Sequence, residues 1–379
     1  MNKRLSMLNR RITFSVILTL LPTSVWAAWQ MNMNRGVTDN SVAIYDLHMI
    51  VFYICVVISV IVFGLMFWSI FHHRKSKGAV AHQFYESTSI EIIWTLVPIV
   101  ILVAIAVPAT STLLDTYDHS ESDIDIQVTG YQWKWRYKYI GEDIDFFSVL
   151  TTPDEEIHNK KEKNPNYLLE VDKPLVVPIN KKIRFLFTSN DVIHAWWVPD
   201  LALKKDAIPG FINESSTKIN TPGIYRGQCA ELCGKNHGFM PIVVKAVTET
   251  EYIAWLATQK VEKAKMASAS KKTWALAELI TKGEQVYNKN CMACHLDTGM
   301  GIPPVFPALK DSSIVKGSLE AHLDIVLNGK SGTAMSAFGS QLSATEIAAV
   351  VTYERNAWGN NMGDFIQPAD VENLMGAAK

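Results

Sequence analysis

The chain has 379 residues, with 36 Lys and Arg against 37 Asp and Glu and a formal net charge of −1. A near-neutral chain lacks the basic excess that nucleic acid attracts, and this length exceeds one ordinary domain, so two or three are expected. Hydrophobic residues at 48% and eleven tryptophans suit a membrane protein with packed extramembrane parts, and five cysteines, four of them in two close pairs, suit metal and haem chemistry better than a disulfide framework.

Residues 1–27 have the layout of a secretory signal peptide: basic Lys3, Arg4, Arg10 and Arg11, an apolar run from Ile12 to Leu21, and a small-residue cleavage site at Val25-Trp26-Ala27. The alternative is an uncleaved anchor helix, against which stand Pro22 and the shortness of the apolar run. Residues 28–120 are expected to form a transmembrane hairpin, with helices over about 46–71 and 90–114. Met49 to Ile70 and Ile92 to Leu114 carry no charge, and each can cross a hydrocarbon core of about 30 Å. The basic run His72-His73-Arg74-Lys75-Ser76-Lys77 between them is cytoplasmic by the positive-inside rule, which puts the residues beyond the second helix on the outer face of a bacterial inner membrane. Pro98 and Pro108 are expected to kink the second helix, and Cys55 is a small apolar residue of the first. Glu91 opens the second span, where a carboxylate is either functional or simply well placed at a helix N-terminus.

Residues 121–250 change to a period of two. Ile124, Ile126 and Val128 alternate with polar residues, and Tyr131, Trp133, Trp135, Tyr137 and Tyr139 continue the alternation as one aromatic strand face. Further strands are expected at Tyr167–Val171, Leu175–Pro178, Ile183–Thr188, Val192–Val198 and Pro241–Val247, giving an all-β sandwich or Greek-key barrel. Within it, Gln228 to Met240 gathers Cys229, Glu231, Cys233, His237 and Met240, and His194 lies upstream in a strand-like run. Thiolates with imidazoles and a weak thioether are copper donors by softness. Two thiolates four residues apart can bridge two ions, with His194 and His237 capping one each and Met240 and the Glu231 carbonyl as weak axial donors. The same residues are compatible with a zinc Cys2His2 set or a Cys229–Cys233 disulfide.

These residues, His194 with Cys-Ala-Glu-Leu-Cys-Gly-x-x-His-x-x-Met, resemble the dinuclear copper (CuA) site of cytochrome c oxidase subunit II. The resemblance implies a cupredoxin-like domain in which His194, Cys229, Glu231, Cys233, His237 and Met240 hold copper and the Glu231 side chain turns toward a magnesium shared with subunit I. It implies that Trp133, in Gly-Tyr-Gln-Trp-x-Trp, passes electrons to the copper. Glu91, three before the Trp of its Glu-x-Ile-Trp-Thr context, corresponds to a glutamate at the mouth of a proton-uptake path. The Lys204–Gly210 stretch corresponds to a loop that contacts subunit I, although Asp206 can equally be a turn residue.

Residues 251–272 are expected to link domains, as a short helix followed by a solvated tether from Lys263 to Lys272. Residues 273–370 then carry Cys291-Met-Ala-Cys-His295, a c-type haem attachment motif in which Cys291 and Cys294 form thioethers and His295 is the proximal ligand. A helix is expected from Lys282 to Asn290, and a capping box at Ser343-Ala-Thr-Glu346 starts another from Ile347 to Asn356. Gly283, Tyr287 and Tyr353 should mark their crossing. A distal ligand must come from between the helices, and Met335, in Gly332–Gly339, is the expected one ahead of Met300, close to the attachment motif, and Met362, past the final helix. A Met thioether paired with His raises haem potential, and the Pro307 carbonyl is placed to hold the His295 ring. The segment resembles class I cytochromes c. The whole therefore resembles a caa3-type oxidase subunit II, a chain that carries electrons from soluble cytochrome c or a bc complex through haem c and dinuclear copper to subunit I among the other oxidase subunits. The alternatives are a copper-bearing subunit of a nitric oxide reductase and a membrane-tethered copper-binding protein without turnover. The full copper donor set argues against a quinol oxidase subunit.

Overall fold

The computed structural model describes residues 32–80 and 85–377. The expected signal peptide lies outside the described residues. The chain divides into two compact units, one comprising residues up to 36 with 41–109 and the other residues 37–40 with 110–379.

The first unit is built from α1 (Asp39–His72, 34 residues) and α2 (Thr88–Thr116, 29 residues). At 1.5 Å per residue they run for about 50 and 44 Å, longer than the hydrocarbon core. α1 begins ten residues before its apolar run and α2 four before its own, because polar flanks such as Asp39-Asn40-Ser41 and Thr88-Ser89 sustain helix as well. Val60, Leu65, Trp94 and Leu102 are each more than half exposed. An apolar surface of that extent belongs in lipid or against other subunits. Pro98 and Pro108 lie inside α2, which continues through both.

The second unit begins as a β-sandwich. One sheet has the order β3-β2-β1-β5-β8 and the other β4-β10-β9-β6-β7, with β1 Ile124–Tyr131, β2 Lys134–Tyr139, β3 Ile144–Ser148, β4 Leu175–Pro178, β5 Lys182–Ser189, β6 His194–Val198, β7 Leu203–Ala207, β8 Asn213–Lys218, β9 Gly223–Cys229 and β10 Pro241–Val247. This is the expected cupredoxin-like domain. Its core is made by the alternate positions of both sheets, among them Ile126, Val128, Trp135, Tyr137, Phe185, Trp196, Ile242 and Val244, all fully buried.

The aromatic strip departs from its sequence reading. It is a hairpin, not one strand: β1 and β2 pair antiparallel around Gln132-Trp133, with Tyr131 opposite Lys134 and Val128 opposite Tyr137. Opposed residues share a face, so Trp135, Tyr137 and Tyr139 point into the core while Tyr131 and Lys134 point out of the sandwich. Two other expectations fail. Tyr167–Val171 makes only a single bridge, Leu150 with Val171, because residues 165–168 are turned. Lys204–Asp206 lies in strand β7, where Asp206 pairs with Ala195, instead of in a loop.

The linker is also more ordered than its composition suggested. α3 (Glu249–Ala269) runs unbroken through most of the expected tether, started by a Thr248–Glu251 capping box. Ala and Lys are strong helix formers, and the helix is fastened to the sandwich by Trp255 against Tyr139 (5.1 Å between centroids) and by ion pairs Lys260–Glu142 and Lys263–Asp143. Only residues 270–275 separate it from α4 (Leu276–Asn290).

The C-terminal helical region comprises α4, a single turn at Met292–His295, α5 (Leu319–Asn328), α6 (Ala344–Asn356) and α7 (Pro368–Ala377). α4 and α6 cross where expected. A Cβ on Gly283 would lie 2.1 Å from the Ala349 carbonyl oxygen, so only glycine admits this approach. Tyr287, Tyr353 and Trp358 form a ring cluster beside it, with centroids 4.8–5.4 Å apart. The Ser343–Glu346 capping box is present, and Ile347, Val350, Val351 and Glu354 are buried along one face of α6.

Candidate metal centre and haem pocket

The six expected copper donors come from three places in one sheet. His194 starts β6, Cys229 ends β9, and the loop between β9 and β10 supplies Glu231, Cys233, His237 and Met240. Antiparallel pairing of β6 with β9 sets Trp196 opposite Cys229 and so brings the two segments together. The donor atoms form a chain: His194 Nδ1 to Cys229 Sγ 3.9 Å, Cys229 Sγ to Cys233 Sγ 3.8 Å, and Cys233 Sγ to His237 Nδ1 3.5 Å. Met240 Sδ is 3.5 Å from Cys233 Sγ, and the Glu231 carbonyl is 3.3 Å from Cys229 Sγ. A sulfur separation of 3.8 Å excludes a disulfide, whose bond is about 2.0 Å. First-row metal bonds of about 2.0–2.3 Å fit donors spaced this way.

Electrostatics tune the same atoms. The mutual hydrogen bond splits the thiols: Cys229 is pulled toward thiolate, chiefly by the bond with Cys233 and then by His194 and the Glu231 and Ala195 backbone, while Cys233 is pushed up. Burial works against a charged His194, but its bonds with Asp191 and Cys229 outweigh it and raise its pKa.

Asp191 went unnoticed in the sequence. Its Oδ1 sits 2.8 Å from His194 Nε2, and its Oδ2 accepts the Gln132 backbone N–H at 2.7 Å. A carboxylate on Nε2 fixes the tautomer that leaves Nδ1 free as a donor. Gly130 makes room for the same ring, since a Cβ there would lie 2.6 Å from His194 Cδ2. Trp135 stacks edge-on against His194 and donates Nε1–H to the Met240 carbonyl at 3.2 Å. Trp133, at the hairpin tip, donates Nε1–H to the Cys233 carbonyl at 3.2 Å, and Gln132 Nε2 donates to the same oxygen at 2.9 Å.

A cavity of about 690 Å³ opens beside this tip. Its walls include Cys291, Cys294, His295 and Met335 together with Trp133 and Gly234. Cys291 and Cys294 are free thiols. His295 Nδ1 bonds the Pro307 carbonyl at 2.9 Å, as expected, which leaves Nε2 to face the cavity. The volume lies within the range of cofactor pockets. His322, also missed in the sequence, lines the wall with its Nε2 2.8 Å from Glu354 Oε2, and its buried Nδ1 has no protein partner. The cavity, the free thiols and the oriented histidine together fit a covalently attached haem.

Glu231 is exposed. Glu91 lies in the first turn of α2, in the other unit, with its carbonyl accepting from Thr95 Oγ1 at 2.8 Å.

Residues 124–247 match the family model "Cytochrome C oxidase subunit II, periplasmic domain", residues 26–111 match the transmembrane domain of the same subunit, and residues 278–353 match "Cytochrome C oxidase, cbb3-type, subunit III". Among relatives, cytochrome c oxidase subunit 2 of Cyanidium caldarium is 38% identical over 233 residues, which are 60% of this chain and 90% of that one. The chain belongs to the cytochrome c oxidase subunit II family. A probable subunit 2 from Rickettsia bellii is 39% identical over 61% of this subunit II chain and 84% of its own length. The crystal structure of the periplasmic domain of subunit II of cytochrome oxidase from Bradyrhizobium japonicum is 41% identical over 38% of this chain and 96% of that one, with a TM-score of 0.33. The relatives account for the hairpin and sandwich, and the match over residues 278–353 for the cytochrome c region fused after them. The protein is thus a membrane subunit of a haem-copper oxidase with an electron-transfer role, and it works in association with other oxidase subunits.

Proposed function

We propose that this subunit carries electrons from a cytochrome c or bc-complex donor toward subunit I, with haem c and a dinuclear copper centre as its two carriers. When bound, these groups supply one-electron redox chemistry, and the chain's residues set where they sit and how they are coupled. Cys291 and Cys294 would hold the haem covalently, with His295 and Met335 as axial ligands. His194, Cys229, the Glu231 carbonyl, Cys233, His237 and Met240 would hold the copper. A single zinc ion is the poorer fit. His194, Cys229 and Cys233 lie within 4.8 Å of one another, whereas His237 is linked to them through Cys233. Donors strung out in this order suit two ions bridged by thiolates.

The observation that carries the reading is the position of Trp133. Its ring lines the cavity that contains the haem-attachment residues, and its Nε1–H is bonded to the backbone of a copper donor. One side chain thereby touches both sites. The sandwich keeps the donors fixed through Asp191, Gly130 and Trp135, which suits a centre that must change charge without rearranging. The exposed Glu231 carboxylate is assigned to a magnesium shared with subunit I, and Glu91 to the mouth of a proton-uptake path. The membrane is taken to be the bacterial inner membrane, with both redox domains on its outer face.

Rapid mixing of the oxidised complex with reduced cytochrome c tests the order. Haem absorbance should change first and copper second, and Trp133→Phe, which removes the Nε1–H, should slow only the second phase. Copper reduction ahead of haem would overturn the order and make the haem domain a side branch.

A further inference from the structure

The boundary between the sandwich and the cytochrome region holds a buried cation that this electron path does not use. Lys134 is next to Trp133 and stands with Tyr131 on the outward face of the β1–β2 hairpin. It is only 7% exposed. Its Nζ lies 4.5 Å from the ring centroid of Phe147 on β3 and 5.5 Å from that of Phe338 in the cytochrome region. It donates to Asn290 Oδ1 at 3.1 Å, one residue before the haem-attaching Cys291. The charged groups around it are already engaged. From the sheet, Arg136 pairs with Asp145. From α4, Lys289 pairs with Asp172. From α6, Glu346 bonds Ser343, and Asp191 is held by His194 and Gln132. The ammonium therefore has one neutral acceptor and two ring faces in place of its water. Such contacts recover only part of the cost of removing a charge from water.

We propose that Lys134 makes the seating of the cytochrome domain on the copper domain reversible and proton-linked, its ammonium losing water when the seam closes and regaining it when the seam opens. Burial pulls its pKa down to about 8, with Cys291 as the largest opposing influence and Lys289 adding to the fall. A lysine lowered in the closed state binds fewer protons there than in the open state. Closing therefore releases a proton between about pH 8 and the ordinary lysine value near 10.4, and the closed state gains over that interval as pH rises. Below about pH 8 both states are protonated and the desolvation cost persists in full. At neutral pH the seam is thus weaker than an apolar filler would make it, and the Trp133 face is uncovered part of the time. The purpose of this motion rests on the proposed electron path, but the motion itself does not.

The test uses the full chain, loaded with haem and copper, in lipid nanodiscs. Single-molecule energy transfer between a dye on the sandwich and a dye on α7 gives the closed-to-open ratio from pH 7 to 10. The wild-type ratio should rise at least tenfold across that range. Lys134→Met, which keeps the length of the stem, should be closed at least tenfold more than wild type at pH 7 and show a flat profile. Lys134→Arg, charged throughout, should stay open-prone and flat. A flat wild-type profile, or a Lys134→Met chain more open than wild type at pH 7, would overturn the proposal. The wild-type profile needs no variant to fold. If the ratio moves as stated while haem-to-copper transfer does not track it, the electron path fails and the role of Lys134 stands.

Discussion

Asp191→Asn isolates the support behind His194. The exchange keeps shape and leaves Oδ1 as an acceptor for His194 Nε2–H, now neutral. At the other end it turns an amide N–H₂ toward the Gln132 backbone N–H, where Oδ2 had accepted at 2.7 Å. The substituted side chain must either leave that donor facing another donor or flip and leave the fully buried His194 ring without its acceptor. An unmet buried donor costs about 1–3 kcal/mol. Loss of a carboxylate behind a ligating histidine weakens metal binding by about 10–100-fold, or roughly 1.4–2.8 kcal/mol. The first cost falls on the fold itself and should lower the unfolding midpoint of the metal-free chain; the second is read separately, as a fall of at least tenfold in copper affinity. Copper retention in titration against a competing chelator measures it. Affinity within twofold of wild type would show that Asp191 does not orient His194, and the argument from tautomer to ligand would fail.

Gly283→Ala places a methyl 2.1 Å from the Ala349 carbonyl oxygen. Overpacking of this kind costs about 1–3 kcal/mol and should appear as a lowered unfolding midpoint of the cytochrome region with the copper spectrum unchanged. Met335→Ala removes the expected thioether ligand. Haem should stay covalently attached while its potential falls and cyanide binding accelerates, both read in a spectroelectrochemical cell. Asp364 is held below the usual carboxylate range, first by its hydrogen bonds from Arg355, which is itself only 2% exposed and also donates to the Val315 and Gly317 carbonyls. A depressed carboxylate stabilises above its unfolded pKa, and that contribution disappears as pH falls through the lower, folded value. Asp364→Asn should therefore cost about 1–2 kcal/mol near neutrality, as one partner of a half-buried pair, and flatten the acid limb of the unfolding curve. Equal loss at all pH values would assign the effect to packing.

The clustering of the candidate donors was legible because it is local. Cys229 at the end of β9 and Glu231, Cys233, His237 and Met240 after it fall within twelve residues, and the Cys291–His295 motif is shorter still. Gly283, the Ser343 cap and the His295–Pro307 bond were legible for the same reason, each being a short-range rule of backbone or ring geometry. Asp191 was not, because an Asp three residues before a His in a polar turn looks like any turn residue until the fold brings Gln132 against its other oxygen. The strand β8, Asn-Glu-Ser-Ser-Thr-Lys, carries almost no apolar signal because it is an edge strand paired only with β5. The hairpin at Gln132-Trp133 stayed hidden because aromatic alternation runs straight through the turn. Register alone shows that Tyr131 has changed sides.

The connection after α3 is short. Its six residues, 270–275, reach at most about 20 Å when fully extended. On the proposed electron path, a cytochrome domain on so short a leash meets the copper domain at an effective concentration in about the millimolar range, whatever the donor supply outside. Affinity between the two domains can then be weak and still sufficient. The collision between them is unimolecular, so dilution of the complex should leave its rate unchanged, and only the first encounter with an external donor is left to depend on concentration.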